Sequence, residues 1–192
     1  MLRSYSTDRA ISDRLKYTKV WQAARATSAA SGFFDPVDIQ LGAYKESYTD
    51  GATGANNPVT HLWDEAREAF LKDGEKLEEN LDCIVSIGTG RPAIDKFGSS
   101  LRSIAKSVVA ISTETETTAM AFKRMHKDLS ESNRYFRFNV DRGLEVIGLE
   151  KVDRKDDIIN ITNKYLEHDD TVESMSKCVN TLTHHVSAFQ LA

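Results

Sequence analysis

Apolar residues along this chain fall into short clusters, and the spacing changes from one cluster to the next. Val59, Leu62, Trp63, Ala66 and Phe70 step by three and four, which is one face of a helix. Asn57-Pro58 just ahead supplies a capping side chain and a proline suited to the first turn. Lys19 to Ser31 reads as another helix, with Gly32 as its C-cap. Its alanines, Ala23, Ala24, Ala26, Ala29 and Ala30, allow close approach to a sheet, and Phe33 to Pro36 end it. Tyr48-Thr49 reads as the end of a short strand that delivers Asp50 to a Gly-rich turn. Lys72 to Asn80 is charged and reads as a solvated loop.

Leu81 to Ile87 carries the clearest strand pattern. Its near-continuous apolar run suits a parallel strand buried on both faces, stopping at Gly88-Thr89-Gly90-Arg91-Pro92. Leu101, Ile104, Ala105, Val108 and Ile111 mark a helix, Thr113 to Glu116 interrupts it, and Ala119, Phe122, Met125 and Leu129 resume the helical period. Tyr135 to Val140 alternates, as a half-buried strand at a sheet edge does. Ile158 to Leu166 is helical. Val172, Met175, Val179, Leu182, Val186 and Phe189 make the C-terminus an amphipathic helix, with core packing favoured over a partner or membrane surface. Strands alternating with helices place the chain in the α/β class.

Composition narrows the picture. The 192 residues suit one domain, and 40% hydrophobic content supports a core. A formal net charge of -4, with no basic run, argues against nucleic-acid binding. The two cysteines, Cys83 and Cys178, lack metal spacing and read as buried thiols in a reducing compartment. No stretch is long and apolar enough to span a bilayer, and no apolar signal region stands near the N-terminus, so the expected compartment is the cytoplasm. Asn160-Ile161-Thr162 fits the glycosylation pattern by chance on that reading.

The candidate chemistry centres on Asp50-Gly51-Ala52, followed by Thr53-Gly54-Ala55-Asn56-Asn57-Pro58. Asp-Gly alone is a common turn dipeptide, so a satisfied turn aspartate is the bland reading. Its setting points further: a strand before it, small residues after it, and a capped helix beyond. Small residues let a substrate come close to the carboxylate, and strand ends are where α/β sheets bind ligands.

Three blocks in this order resemble the patatin-like phospholipase family: Ala24-Arg25-Ala26-Thr27-Ser28-Ala29-Ala30, then Asp50-Gly51-Ala52 with Asn56-Asn57-Pro58, then Val85-Ser86-Ile87-Gly88-Thr89-Gly90. Asn133 to Val140 resembles the fungal branch of that family. The resemblance covers most of the chain. It implies a three-layer α/β patatin-like (FabD/lysophospholipase-like) fold and a serine lipid acyl hydrolase acting on lipid esters through a Ser-Asp dyad. The family's aspartate falls on Asp50, with Gly51 and Ala52 completing its motif. No metal or cofactor is implied. Lipid or phospholipid is the implied substrate, which allows peripheral membrane contact.

The chain departs from the family in one respect. It contains no Gly-x-Ser-x-Gly nucleophile elbow and no Gly-Gly-Gly oxyanion turn. Gly98-Ser99-Ser100 lacks the second glycine, and Ser86 lies within the strand pattern. Leu2-Arg3-Ser4-Tyr5 resembles a segment from the middle of the family domain. Residues 1–192 are therefore expected to be the C-terminal part of one such domain, truncated on its N-terminal side and inactive alone. The rival expectation is a non-catalytic remnant or interaction module on the same scaffold. Other candidates are weaker. Gly88-Thr89-Gly90-Arg91 could cradle a phosphate but lacks the nucleotide-binding spacings. His184-His185 diverge on a helix, and His61, His126 and His168 read as isolated and exposed. Glu114, Glu116, Asp156-Asp157 and Asp169-Asp170 read as solvated helix starts.

Overall fold

The computed structural model describes residues 2–6, 13–31, 33–91, 102–144, 147 and 151–189. The chain divides into two compact units, Met1–Leu71 and Lys72–Ala192, each with its own packing.

The first unit is built on a hairpin. Val37-Asp38-Ile39-Gln40-Leu41 alternates strictly, and strand β1 (Val37–Leu41) buries Val37, Ile39 and Leu41 while Asp38 and Gln40 face outward. It pairs antiparallel with β2 (Tyr44–Tyr48), from Val37 opposite Tyr48 to Leu41 opposite Tyr44. The two-residue connection starts at Gly42, whose φ of 67° disfavours any residue with a Cβ. Helix α1 (Asp13–Tyr17) is held to β2 by Arg14, which donates two hydrogen bonds of 2.8 Å to the Glu46 carboxylate. Helix α2 (Val20–Ala26) is shorter than its sequence pattern: Thr27 is its C-cap, residues 27–28 form a turn, and Gly32 lies outside the described residues. Ala26 and Ala29 pack directly on the β1 face, so the small side chains do bring this segment close to a sheet. Beyond the one-turn α3 (Ala52–Ala55), helix α4 (Val59–Phe70) buries Val59 and Trp63. Leu62 and Phe70 of the same stripe are exposed, Phe70 to 80%. The apolar face of α4 is therefore narrower than its spacing implied. Arg3 and Tyr5 both donate to Glu65 and fasten the N-terminal segment to α4.

The second unit opens with α5 (Leu77–Asn80), which corrects the loop expected there: Leu77 is buried and nucleates the turn. Strand β3 (Ile84–Ile87) runs parallel to β4 (Tyr135–Phe138), in register from Ile84 opposite Tyr135 to Ile87 opposite Phe138. Parallel partners need a crossover, and α6 (Arg102–Met125) and α7 (Lys127–Glu131) lie within it. Phe122 and Leu129 are fully buried, and the Phe122 and Tyr135 rings lie 5.2 Å apart. Arg134 closes the α5 end by donating to the Glu78 and Leu81 carbonyls at 2.6 and 3.1 Å. A 3-10 turn (Val152–Arg154) leads into α8 (Lys155–Leu166) and then α9 (Asp169–Phe189).

Three expectations are corrected here. Strand β3 is not buried on both faces, because Ile87 is 78% exposed and Val85 is exposed too. Thr113 to Glu116 does not interrupt the helix: α6 runs through it, Thr115 is buried, and Glu116 is anchored by ion pairs. The apolar stripe of α9 does not enter the core. Val172, Met175, Val179 and Leu182 are all exposed, while Thr171 and Cys178 are buried. The inward face is displaced by one residue, about 100° around the helix. Met125 is also exposed, since α6 ends there and His126 turns the chain into α7. The side chains of residues 101–113 and 184–192 lie outside the described residues.

Among the described residues the structure is α/β, with helices and two small two-stranded sheets. Among the described residues, no helix is long and apolar enough to cross a membrane.

Candidate active site

Strand β2 ends at Tyr48, and the chain reaches Asp50 two residues on, as the sequence pattern indicated. Three local features fix Asp50. Its backbone N–H donates to Ala29 O at 2.9 Å, which ties the turn to the alanine segment beneath the hairpin. Its Oδ1 accepts the Ala52 N–H at 2.8 Å, the Asx-type bond that aspartate favours before a helix. Its side chain is half-buried. Gly51 then starts α3, and the Ala55 N–H returns to Gly51 O at 2.7 Å. A carboxylate held through one oxygen keeps the second available to a proton.

The small residues after Asp50 create space. A Cβ built on Gly51 or on Gly54 would meet no heavy atom within 4 Å. Gly51 has φ -61°, which any residue adopts, so backbone conformation does not require glycine there. Open approach to the carboxylate is what the missing side chain supplies. Asn57 then caps α4 from a buried position, its Oδ1 accepting the Val59 N–H at 3.3 Å. Tyr48, just before the turn, bonds to both Glu46 and Arg14. The bonds from Arg14 and then Tyr48 hold the Glu46 carboxyl at about 2, and burial pushes the Tyr48 hydroxyl up. The strand that presents Asp50 is therefore braced by a fixed charge pair.

The Gly88-Thr89-Gly90-Arg91 turn lies in the second unit and is committed to packing. Gly88 N–H donates to Phe138 O at 2.8 Å, and Gly90 N–H donates to Asn139 Oδ1 at 2.7 Å. Both donors a phosphate would use are taken. A Cβ on Gly88 would come within 2.3 Å of Asn139 Oδ1, so the glycine serves this contact. Asn139 also donates to Glu116 Oε1 at 2.9 Å, and Arg137 reaches the same oxygen at 3.2 Å and Ser86 Oγ at 3.0 Å. Arg91 bonds Glu116 Oε2 at 2.8 Å. Glu116 is thus the hub of a polar network joining α6, β3 and β4, not a solvated helix start. Sequence reading missed Asn139 and Arg137 in this role. Their polar positions alternating with apolar ones, Arg137 within β4 and Asn139 just past its end, were the visible signal. Ser86 is occupied by Arg137 and is half-buried.

The remaining candidates disperse. His61 is exposed on α4, and His168 is exposed in the bend between α8 and α9. His126 is not: it is half-buried against Phe122, ring centroids 4.4 Å apart, with Nδ1 3.8 Å from Glu78. Asp156-Asp157 and Asp169-Asp170 stand in the first turns of α8 and α9, where helix dipoles favour them. Gly98-Ser99-Ser100 lies outside the described residues. Among the described residues, no group of three or more His, Cys, Asp or Glu side chains has the arrangement to hold a metal ion.

A turn aspartate on a braced strand, flanked by open glycines, defines a candidate proton-acceptor site on an α/β scaffold. The sequence model described as patatin-like phospholipase matches residues 1–63, the segment that contains Asp50 and its turn. Calcium-independent phospholipase A2-gamma of Mus musculus is 31% identical over 177 residues, covering 90% of this chain and 21% of that protein. Its counterpart from Oryctolagus cuniculus is 34% identical over 125 residues, 63% of this chain and 14% of that protein. Phospholipase A I of Arabidopsis thaliana is 32% identical over 123 residues, 63% of this chain and 9% of that protein. No solved structure matches the chain. The chain belongs to the patatin-like phospholipase family. It spans about a fifth of the length of the first of these relatives.

Proposed function

We propose that residues 1–192 contribute the aspartate half of a lipid acyl hydrolase site, with Asp50 as the proton acceptor of a Ser-Asp dyad. The reading rests on one observation: Asp50 is fixed by the Ala29 and Ala52 bonds while the space beside Gly51 and Gly54 stays open. Phospholipase relatives aligned over most of the chain support it. The same reading carries the three-layer patatin-like architecture and a phospholipid substrate met at a membrane surface.

The chemistry follows from the groups involved. A serine hydroxyl attacks an ester carbonyl only when a base takes its proton. A free aspartate, at about 3.9, is a weak base at neutral pH. A carboxylate gains strength as a base when a bound apolar chain excludes water from around it. Asp50 takes the serine proton as the oxygen attacks, and returns it to the departing alcohol. Water then attacks the acyl-serine while Asp50 accepts its proton, and Asp50 returns that proton to the serine oxygen as the acyl–oxygen bond breaks and the fatty acid leaves. Backbone N–H groups hold the oxyanion in both steps.

The serine is not among these 192 residues in any Gly-x-Ser-x-Gly setting, so the chain alone is expected to hydrolyse no ester. Joined to a segment bearing the elbow and the oxyanion turn, it gains activity that Asp50→Asn removes while the fold is kept. The removed activity is on the order of 10^4-fold, as for a residue whose loss stops nucleophile activation. Full activity in Asp50→Asn would refute the assignment. The absent nucleophile motif favours a second reading, a non-catalytic interaction module on the patatin scaffold. Ester hydrolysis by the reconstituted protein separates the two.

A further inference from the structure

Two thiols meet in the second unit. Cys83 stands one residue ahead of β3, whose Ile84 lies opposite Tyr135 and donates its N–H to Arg134 O at 2.8 Å. Cys83 therefore sits beside the Asn133–Arg134 turn that starts β4. Helix α9 is fastened to the same turn, since Thr181 Oγ1 donates to Asn133 O at 3.1 Å. Cys178 lies three residues before Thr181, on the same helix face, and is buried. The two thiols lie close enough for Cys178 to act on Cys83 electrostatically. Cys83 is half-buried, the less enclosed of the two. The sequence has two cysteines in all, and they are these.

We propose that Cys83 and Cys178 form a redox modification site that closes to an intramolecular disulfide, fastening α9 to the start of β3. The oxidant is a small disulfide of the glutathione class. The Cys83 thiol gives its proton to water, and the thiolate attacks one sulfur of the small disulfide and expels one small thiolate. Cys178 then loses its proton and attacks the Cys83 sulfur, expelling the second. Two protein thiols are oxidised, and one small disulfide is reduced to two thiols. Burial first, and then the neighbouring Cys178, push the Cys83 thiol above its ordinary range. The thiolate is therefore scarce at neutral pH, and closure accelerates as pH rises. The hydrolase reading uses neither sulfur.

The test uses the whole 192-residue chain in graded mixtures of reduced and oxidised glutathione. The expected product is a monomer that has lost two hydrogens, with the Cys83 and Cys178 peptides cross-linked. Its thermal midpoint should rise by several degrees and return on reduction, because the bridge closes a long loop. Cys83→Ser and Cys178→Ser should each give glutathione adducts or linked dimers instead. Cys83→Ala and Cys178→Ala repeat this should serine disturb the packing. In denaturant, where the fold no longer holds the sulfurs together, wild-type should give adducts in place of the internal bridge. The proposal is overturned if the folded chain gives only adducts or dimers. The same holds if folded and denatured chains form the bridge in equal proportion.

Discussion

Gly51 and Gly88 each end a strand-to-turn passage, and they answer to different forces. Gly88 is pinned because its missing Cβ makes room for Asn139, and Gly51 faces open space. Gly88→Ala should therefore destabilise the second unit by about 1–3 kcal/mol, the usual range for overpacking. Gly51→Ala should stay within about 0.5 kcal/mol of wild-type. Denaturant unfolding checks both, and equal losses would contradict the contrast. Asp50 itself was legible in the sequence because its bond to Ala52 is local. Its second anchor, Ala29 O, lies twenty-one residues earlier and has no local signature. Glu116 was misread for the same reason: its partners Arg91, Arg137 and Asn139 come from distant segments.

At the scale of elements, the β1–β2 hairpin is a motif that its own residues specify. Val37 to Leu41 alternates strictly and Gly42 supplies the left-handed turn, yet the Tyr48-Thr49 end drew attention away from β1. The charge pairs bracing this unit set its pH response. Glu46 and Glu65 are both held at about 2, first by bonds from Arg14 and Arg3 respectively, then by Tyr48 and Tyr5. Their folded values lie below the unfolded ones, so their contribution is present above the ordinary glutamate range and is lost as pH falls toward about 2. Both tryptophans, Trp21 and Trp63, lie in this unit, so selectively excited tryptophan fluorescence reports on it alone. The unit should lose stability across that acidic window. Glu46→Gln should flatten the loss, and an unchanged profile would exclude the pair as its source. Helix α9 gives the converse lesson. Val179→Gln, on the exposed stripe, should change stability by less than about 0.5 kcal/mol. Leu129→Ala, at a fully buried position, should cost about 2–5 kcal/mol by opening a cavity.

The molecule as a whole carries more apolar surface than its own packing covers. Among the described residues each two-stranded sheet has its outer strand edges unpaired, and such edges invite pairing with other chains. Val20, Trp21, Phe70 and Ile87 are strongly exposed as well as the α9 stripe. The purified chain should therefore self-associate as its concentration rises, seen as growing mass in light scattering. A monodisperse monomer at high concentration would count against this.

The sequence by itself left β1 and α5 unread but determined most of the helices, the β3 and β4 strands, the family and the Asp50 turn. These depend on short-range periodicity, capping and turn bonds that lie within a few residues of one another. The tertiary structure decided which of two adjacent stripes on α9 turned inward, why α6 runs through Thr113 to Glu116, and why Gly88 and Gly90 bond the Phe138 carbonyl and the Asn139 side chain in place of a phosphate. It also brought Cys83 beside Cys178. A repeat of three and four fixes that a helix has an apolar face, but neighbouring faces differ by one residue of rotation. Only the surfaces packed against the helix, here the polar Asn133 carbonyl and the Cys83 thiol, select between them.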